Sequence, residues 1–207
     1  KIQAGVLGAT GMVGQSFVKF LDGHPRFELT WVGASDRSAG KPYCEATAWK
    51  LEGSTPESVA KLIVKECVPD ASAPKLIFSA VDAAVALEME QAFAASGRAV
   101  VSNTKTHRME ADVPLLVPEI NPDHLAVAAL QKARGWKGII VTNPNCSTVV
   151  LTMGLAPLKQ FGIEKVIVTT MQAISGAGYP GVPSLDIMGN VIPFIGGEEH
   201  KMEIETL

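Results

Sequence analysis

Strand-length apolar runs alternate with stretches whose apolar residues repeat at helical spacing, and this alternation limits the chain to very few architectures. Residues 2–7, 27–33, 75–79, 99–102 and 138–142 read as strands, and 11–21, 83–95 and 122–133 as helices. A strand followed by a crossover helix and another short apolar strand pairs in parallel, and a parallel sheet needs helices on both faces. The expected fold class is therefore α/β, a Rossmann-type doubly wound parallel sheet. Between Pro42 and Pro74 the pattern weakens, and short strands are expected within 45–51 and 62–67. From Asn143 the texture changes to a helix over 148–161, a β-rich run over 165–174, a Gly/Pro-rich loop over 176–183 and a helix over 198–207. The expected division is a nucleotide-binding domain, 1–144, followed by the first part of an α+β catalytic or dimerisation domain, 145–207. A sheet begun at Lys165 would expose an apolar edge unless further chain or a partner covered it.

Composition narrows the function classes. The 207 residues are 47% hydrophobic with a net charge of -3, and Lys and Arg are interspersed with acids, which speaks against a nucleic-acid surface or a polybasic membrane anchor. No apolar stretch approaches the roughly 20 residues of a membrane span. Cys44, Cys67 and Cys146 lie too far apart for a CxxC metal site or a disulfide framework, so free thiols in a reducing compartment are expected, with no metal. The chain opens directly on a strand without a leader pattern, giving the expectation of a cytoplasmic protein, or a plastid-like one after processing.

The first strand runs into Gly8-Ala9-Thr10-Gly11-Met12-Val13-Gly14. Glycines at this junction allow a tight turn, let backbone N–H groups approach a pyrophosphate, and let the helix pack closely on its strand. The spacing is GxxGxxG, and a merely glycine-rich strand-to-helix turn is the plainer alternative. At the end of the second strand, Ala34-Ser35-Asp36-Arg37-Ser38 stands where the adenine ribose is commonly met. Asp36 suits a free 2′-hydroxyl, whereas Ser35, Arg37 and Ser38 suit a 2′-phosphate. The balance favours NADP over NAD, with a solvated turn as the alternative.

Thr142-Asn143-Pro144-Asn145-Cys146-Ser147-Thr148 follows another buried strand, and Pro144 breaks it, which puts Cys146 where the next helix begins. Unpaired N–H groups and the positive end of the helix dipole favour a thiolate there. A packed, inert cysteine is the alternative reading. An activated thiol beside a dinucleotide site suggests an acyl thioester from which hydride chemistry proceeds. Cys44 and Cys67 read as buried or incidental thiols.

Taken together, these motifs are similar to those of the aspartate-semialdehyde dehydrogenase family over essentially the whole chain. They are the glycine loop, Ser102-Asn103 with His107-Arg108-Met109, Val117-Pro118-Glu119-Ile120-Asn121-Pro122, Asn143 to Thr148, Gln172 to Tyr179 and Gly196-Gly197-Glu198-Glu199-His200-Lys201. The wording of 175–184 and 196–203 resembles the fungal and archaeal branch. The resemblance implies NADP-dependent reductive dephosphorylation of L-4-aspartyl phosphate to L-aspartate 4-semialdehyde and phosphate, a step toward lysine, methionine and threonine. It also implies a homodimer or homotetramer acting on a small-molecule substrate. By motif it makes Cys146 the acyl acceptor and Gln172 the residue that orients substrate, with Arg108 and Lys201 on the phosphate and Glu198 on the substrate amino group. Asn145 is placed at the phosphate or oxyanion site, and Gly8, Thr10, Gly11, Met12, Val13, Ser35, Arg37, Ser38, Ser79, Ser175 and Gly176 at the cofactor.

The chemistry agrees in kind, since a phosphorylated carboxylate calls for cations and an α-amino group for a carboxylate. The plainer readings are an ordinary helix pair for Glu198 and Lys201, and a surface salt bridge for Arg108. The family's general acid/base histidine and substrate-carboxylate arginine are expected beyond position 207, so no turnover is expected of this chain alone. His24 and His124 read as surface positions, His107 as a loop residue and His200 as lying on a helix face. The competing readings are N-acetylglutamyl-phosphate reductase, malonyl-CoA reductase and a non-catalytic NADP-binding module.

Overall fold

The computed structural model describes residues 1–206. Six strands form one sheet: β1 (Ile2–Leu7), β2 (Phe27–Ala34), β3 (Lys65–Glu66), β4 (Leu76–Ser79), β5 (Ala99–Ser102) and β6 (Ile139–Thr142). They are parallel throughout, in the order β3-β2-β1-β4-β5-β6. This is the doubly wound order that reverses direction between β1 and β4, and that reversal opens a crevice at the carboxyl ends of those two strands.

Side chains alternate across the sheet, and each face has its own core. Val6, Val32 and Ala34 pack with Val18 and Leu21 of α1 (Met12–Leu21) and with Tyr43, which opens the short helix α2 (Tyr43–Ala46), and Val59 of α3 (Glu57–Ala60). On the other face Leu7, Trp31, Ile77, Val100 and Ile140 pack with Phe93 and Ala94 of α4 (Ala83–Ala95). Asp82 caps α4 by accepting the Ala84 N–H. The edge strand β6 does not present a bare ladder. Gln131, fully buried in the 3-10 helical segment Pro122–Arg134, donates to the Ile140 carbonyl at 2.7 Å and accepts the Ile140 N–H at 2.8 Å, which imitates a seventh strand.

Two expectations fail. The strand expected within 45–51 is the end of α2 followed by irregular chain, because its polar groups are taken by side chains: Gln15 binds the Ala48 carbonyl and the Lys50 N–H. The β-rich run 165–174 forms no strand. A strand exists through its ladder, and this run pairs with no other strand, so high β-propensity leaves it irregular with its side chains exposed. The run 62–67 shortens to β3 and one antiparallel bridge, Pro42 to Ile63.

Beyond β6 lie α5 (Cys146–Leu155) with a 3-10 continuation to Phe161, α6 (Ser184–Ile187) and α7 (Glu198–Glu205). The helix expected over 148–161 thus starts two residues earlier. The expected end of the last helix at Leu207 lies outside the described residues.

Candidate functional site

Because every strand runs the same way, the loops that follow them all emerge on one edge. The glycine loop follows β1, Ser35 to Ser38 follow β2, Ser79 ends β4, the Arg108 loop follows β5 and Cys146 follows β6. Residues scattered from 8 to 146 in sequence are thereby gathered along the carboxyl edge, where doubly wound sheets bind ligands.

The glycine loop spends the Ala9 and Gly11 N–H groups on Gly33 O and Gly8 O, at 3.0 and 3.1 Å, and leaves those of the first turn of α1 for a ligand. Its carbonyls are consumed from within: the buried Tyr43 hydroxyl donates to Ala9 O at 2.7 Å, and the buried Gln15 amide donates to Thr10 O at 2.9 Å. Burial pushes the Tyr43 phenol up to about 12 against the small lowering effect of Thr47, so it stays a donor. A Cβ on Gly8, whose φ is +73°, would lie 2.5 Å from the Ala80 carbonyl oxygen, and one on Gly14 would lie 2.1 Å from Gly8 O. Those two glycines are dictated by packing. Gly11 differs, since a Cβ there meets only Gly8 O at 3.5 Å. It is exposed at the start of α1, where no side chain caps the free N–H groups, an arrangement suited to an anion.

A cavity of about 300 Å³ opens beside Thr10, Gly11 and Met12, with Lys50 lying 4.4 Å over the Tyr179 ring at its mouth. Ser79 is buried at the crevice with no partner for its hydroxyl. Arg37 is exposed and makes no ion pair among the described residues. Cradle, orphan hydroxyl and free guanidinium fit a phosphorylated dinucleotide. Gln15 and Tyr43 belong to no motif in the sequence, although a glutamine on the apolar face of α1 was a signal that a buried amide had backbone to satisfy.

Cys146 is exposed at the first position of α5. Asn145 is the N-cap, and its side chain accepts the Ser147 N–H at 2.9 Å. Cys67, by contrast, is buried with its thiol against the Ala34 carbonyl, and burial pushes that thiol up. Around the Cys146 helix start the structure gathers Asn145, Gln172 and Glu198. The Glu198 carboxylate, 7% exposed, accepts from Ser147 Oγ at 2.6 Å, Gln172 Nε2 at 2.7 Å and Asn145 Nδ2 at 3.3 Å. Burial alone would raise its pKa, but these three donors and the charge of Lys201 outweigh it and hold the group below the usual glutamate range. No Glu198 to Lys201 ion pair forms among the described residues, so the ordinary helix-pair reading does not hold. Lys201 stays half-buried one turn further along α7. Ser175 and Gly176 lie in the exposed 3-10 turn Ile174–Ala177 that leads to Tyr179.

Arg108 is no surface cation. It is buried, donating from Nη1 to Glu205 at 3.1 Å and from Nη2 to the Asn103 carbonyl at 3.1 Å, with Nε unpartnered. Its neighbour His107 is fully buried, not a mere loop residue. One ring nitrogen lies 2.7 Å from Glu110 and the other 3.6 Å from the buried Glu90. Glu110 in turn meets Arg134, which also pairs with Asp112 and pulls that carboxyl below its usual range. His24 and His124 are half-buried turn anchors, their Nδ1 atoms facing backbone groups, and His200 is exposed on α7. Among the described residues no cluster of three metal-ligating side chains occurs, and no helix is long and apolar enough to cross a membrane.

The model of the semialdehyde dehydrogenase NAD-binding domain matches residues 3–128, and that of the semialdehyde dehydrogenase dimerisation domain matches 155–207. The chain belongs to the semialdehyde dehydrogenase family. Its relatives include the aspartate-semialdehyde dehydrogenase of the archaeon Methanothermobacter thermautotrophicus, 54% identical over all of this chain and 60% of that protein. The Saccharomyces cerevisiae enzyme of the same name is 50% identical over 98% of this chain and 58% of its own length. The crystal structure of the Candida albicans aspartate-semialdehyde dehydrogenase with NADP superposes with a TM-score of 0.87 at 44% identity, covering 100% of this chain and 59% of that one. The expected archaeal and fungal affinity is thus found, and the chain spans about 60% of the length of these relatives.

Proposed function

We propose that the full-length enzyme carries out NADP-dependent reductive dephosphorylation of L-4-aspartyl phosphate to L-aspartate 4-semialdehyde, in the cytoplasm and as a homodimer or homotetramer. The single observation that carries this reading is the placement of an exposed Cys146 at a helix start, beside Asn145, Gln172 and Glu198, on the same sheet edge as the glycine loop.

In the proposed reaction Cys146 Sγ gives up its proton and attacks the acyl carbon, and the carbon–oxygen bond to phosphate breaks with inorganic phosphate as the leaving group. A thioester then joins substrate to protein until hydride reaches the acyl carbon and the C–S bond breaks, freeing the aldehyde and returning the electron pair to sulfur. NADPH, when bound, supplies the hydride. Thr10 to Val13 and Gly8 would hold its pyrophosphate, Ser35, Arg37 and Ser38 its 2′-phosphate, and Ser79, Ser175 and Gly176 its nicotinamide half. Glu198, ionised although buried, receives the substrate amino group, and Gln172 orients the acyl chain from its bond to Glu198. Asn145, Arg108 and Lys201 take the phosphate. The domain division at 144/145 is supported by the end of the sheet at Thr142 and by the separate family matches on either side.

The test uses the full-length enzyme with semialdehyde, inorganic phosphate and NADP. Wild type is expected to reduce NADP only when phosphate is present, and Cys146→Ala to fall to background. Intact mass should show a covalent acyl adduct on wild type and none on Cys146→Ala. Turnover that survives Cys146→Ala defeats the proposal.

A further inference from the structure

Of the four glutamates on α7, a second one besides Glu198 bonds at the Cys146 corner and belongs to none of the motifs. Glu205 lies seven residues after Glu198, two helical turns, so both side chains leave the helix within about 20° of one another. Met202, buried between them, fixes that face inward. Glu198 grips the side chains around the nucleophile. Glu205 grips the backbone: its Oε2 accepts the Asn145 N–H at 2.5 Å, and its Oε1 accepts Arg108 Nη1 at 3.1 Å.

We propose that Glu205 is a positioning residue that fixes the Arg108 guanidinium against the Asn145-Cys146 corner, and so builds the phosphate-holding face of the site. The inference rests on the functional reading above for the identity of the anion. The side chains of Arg108 and Glu205 are 8% and 3% exposed, so neither can choose its partner freely. A buried carboxylate shared between a guanidinium and an amide is compensated on both oxygens, and removing it strands two donors. The bridge extends further, because Arg108 Nη2 holds the Asn103 carbonyl and Asn103 Oδ1 accepts from Asn143 Nδ2 at 3.0 Å. The loop after β5, the corner after β6 and the end of α7 are thereby tied through one carboxylate. Burial also separates this role from competition. An incoming phosphate cannot take the place of Glu205 without moving α7.

The experiment uses the full-length enzyme, with inorganic phosphate as the probe. Phosphate is followed without turnover, by the rise it causes in melting temperature, and with turnover, by its KM. In Glu205→Gln the amide oxygen replaces one acceptor and its NH2 faces a donor, so half-saturating phosphate is expected to rise about tenfold. KM for NADP should stay within about twofold, since the cofactor loop does not touch this bridge. Glu205→Asp keeps the charge but is one methylene too short to reach both donors, and is expected to show a smaller loss in the same direction. Unchanged phosphate binding in a folded Glu205→Gln overturns the inference. So does tighter binding, which would make Glu205 a competitor for Arg108, and so does a wild-type melting temperature indifferent to phosphate. If Glu205→Gln fails to fold, Glu205→Asp decides: wild-type phosphate binding there overturns the bridge, and weaker binding supports it. A wild type that binds phosphate yet reduces no NADP defeats the functional reading and leaves the bridge standing.

Discussion

Glu198 shows how burial and ionisation are reconciled in a single side chain. A carboxylate with 7% exposure should resist charge, yet three donors and Lys201 hold it ionised below the usual glutamate range. The folded pKa lies below the unfolded one, so the stabilisation is fully present above the ordinary glutamate value of about 4.3 and is lost as pH falls through the folded pKa. Glu198→Gln removes that dependence. Denaturant melts of both proteins are expected to show wild type more stable at pH 7, with the difference narrowing as pH falls below about 4.3. A difference that is constant, or that grows in acid, counts against the ionised assignment. Cys146, Arg108 and the glycine loop were legible because they follow strand ends, where chemistry and chain direction coincide, whereas Gln172, Glu198 and Lys201 follow no strand and were legible only through family motifs. Ser147, Glu205 and the burial of His107 were not legible. Their roles depend on which neighbours the fold supplies, and no local pattern states that.

At the scale of elements, the strands and helices of the sheet could be read wherever an apolar run was long enough to show its period and a glycine or cap marked its end. Residues 42–74 defeated that reading because their elements are four-residue helices and a two-residue strand, shorter than any period they could display. The run 165–174 defeated it differently: its β-propensity is real, but pairing is a property of two strands. The β1 to α1 junction offers a test that separates packing from ligand approach. Gly14→Ala puts a methyl 2.1 Å from the Gly8 carbonyl oxygen, so α1 must shift, at an expected cost of about 1–3 kcal/mol. Gly11→Ala meets nothing closer than 3.5 Å, at a φ of -76° that alanine tolerates, and should leave the melting temperature near wild type. It should nevertheless weaken NADP binding, because the methyl stands where the pyrophosphate must come against the N–H groups. If Gly11→Ala binds NADP as wild type does in a fluorescence titration, the ligand does not approach there.

Over the whole molecule the contrast lies between two kinds of surface. Residues 2–142 close a sheet between two apolar cores, and even the edge strand is capped by Gln131. Between α5 and α7 most apolar side chains face outward, with Ile167, Met171, Leu185 and Val191 between 80% and 98% exposed. Exposed apolar side chains in this number mark a surface meant to be covered. The 207-residue chain by itself is therefore expected to bind a hydrophobic dye strongly and to gain mass with concentration in sedimentation, while the full-length enzyme binds far less dye. Replacing Ile167 and Met171 by Ser should lower dye binding by the short chain and leave the thermal transition of its sheet in place, since neither residue belongs to either core. The concentration dependence identifies the cover. Dye binding that falls as the short chain is concentrated means that copies of the chain cover the surface themselves. Binding that stays constant until the remaining two-fifths of the relatives' length is supplied means that the rest of the polypeptide does so. Dye binding no greater than that of a compact control of equal size would show that these side chains are not exposed in solution.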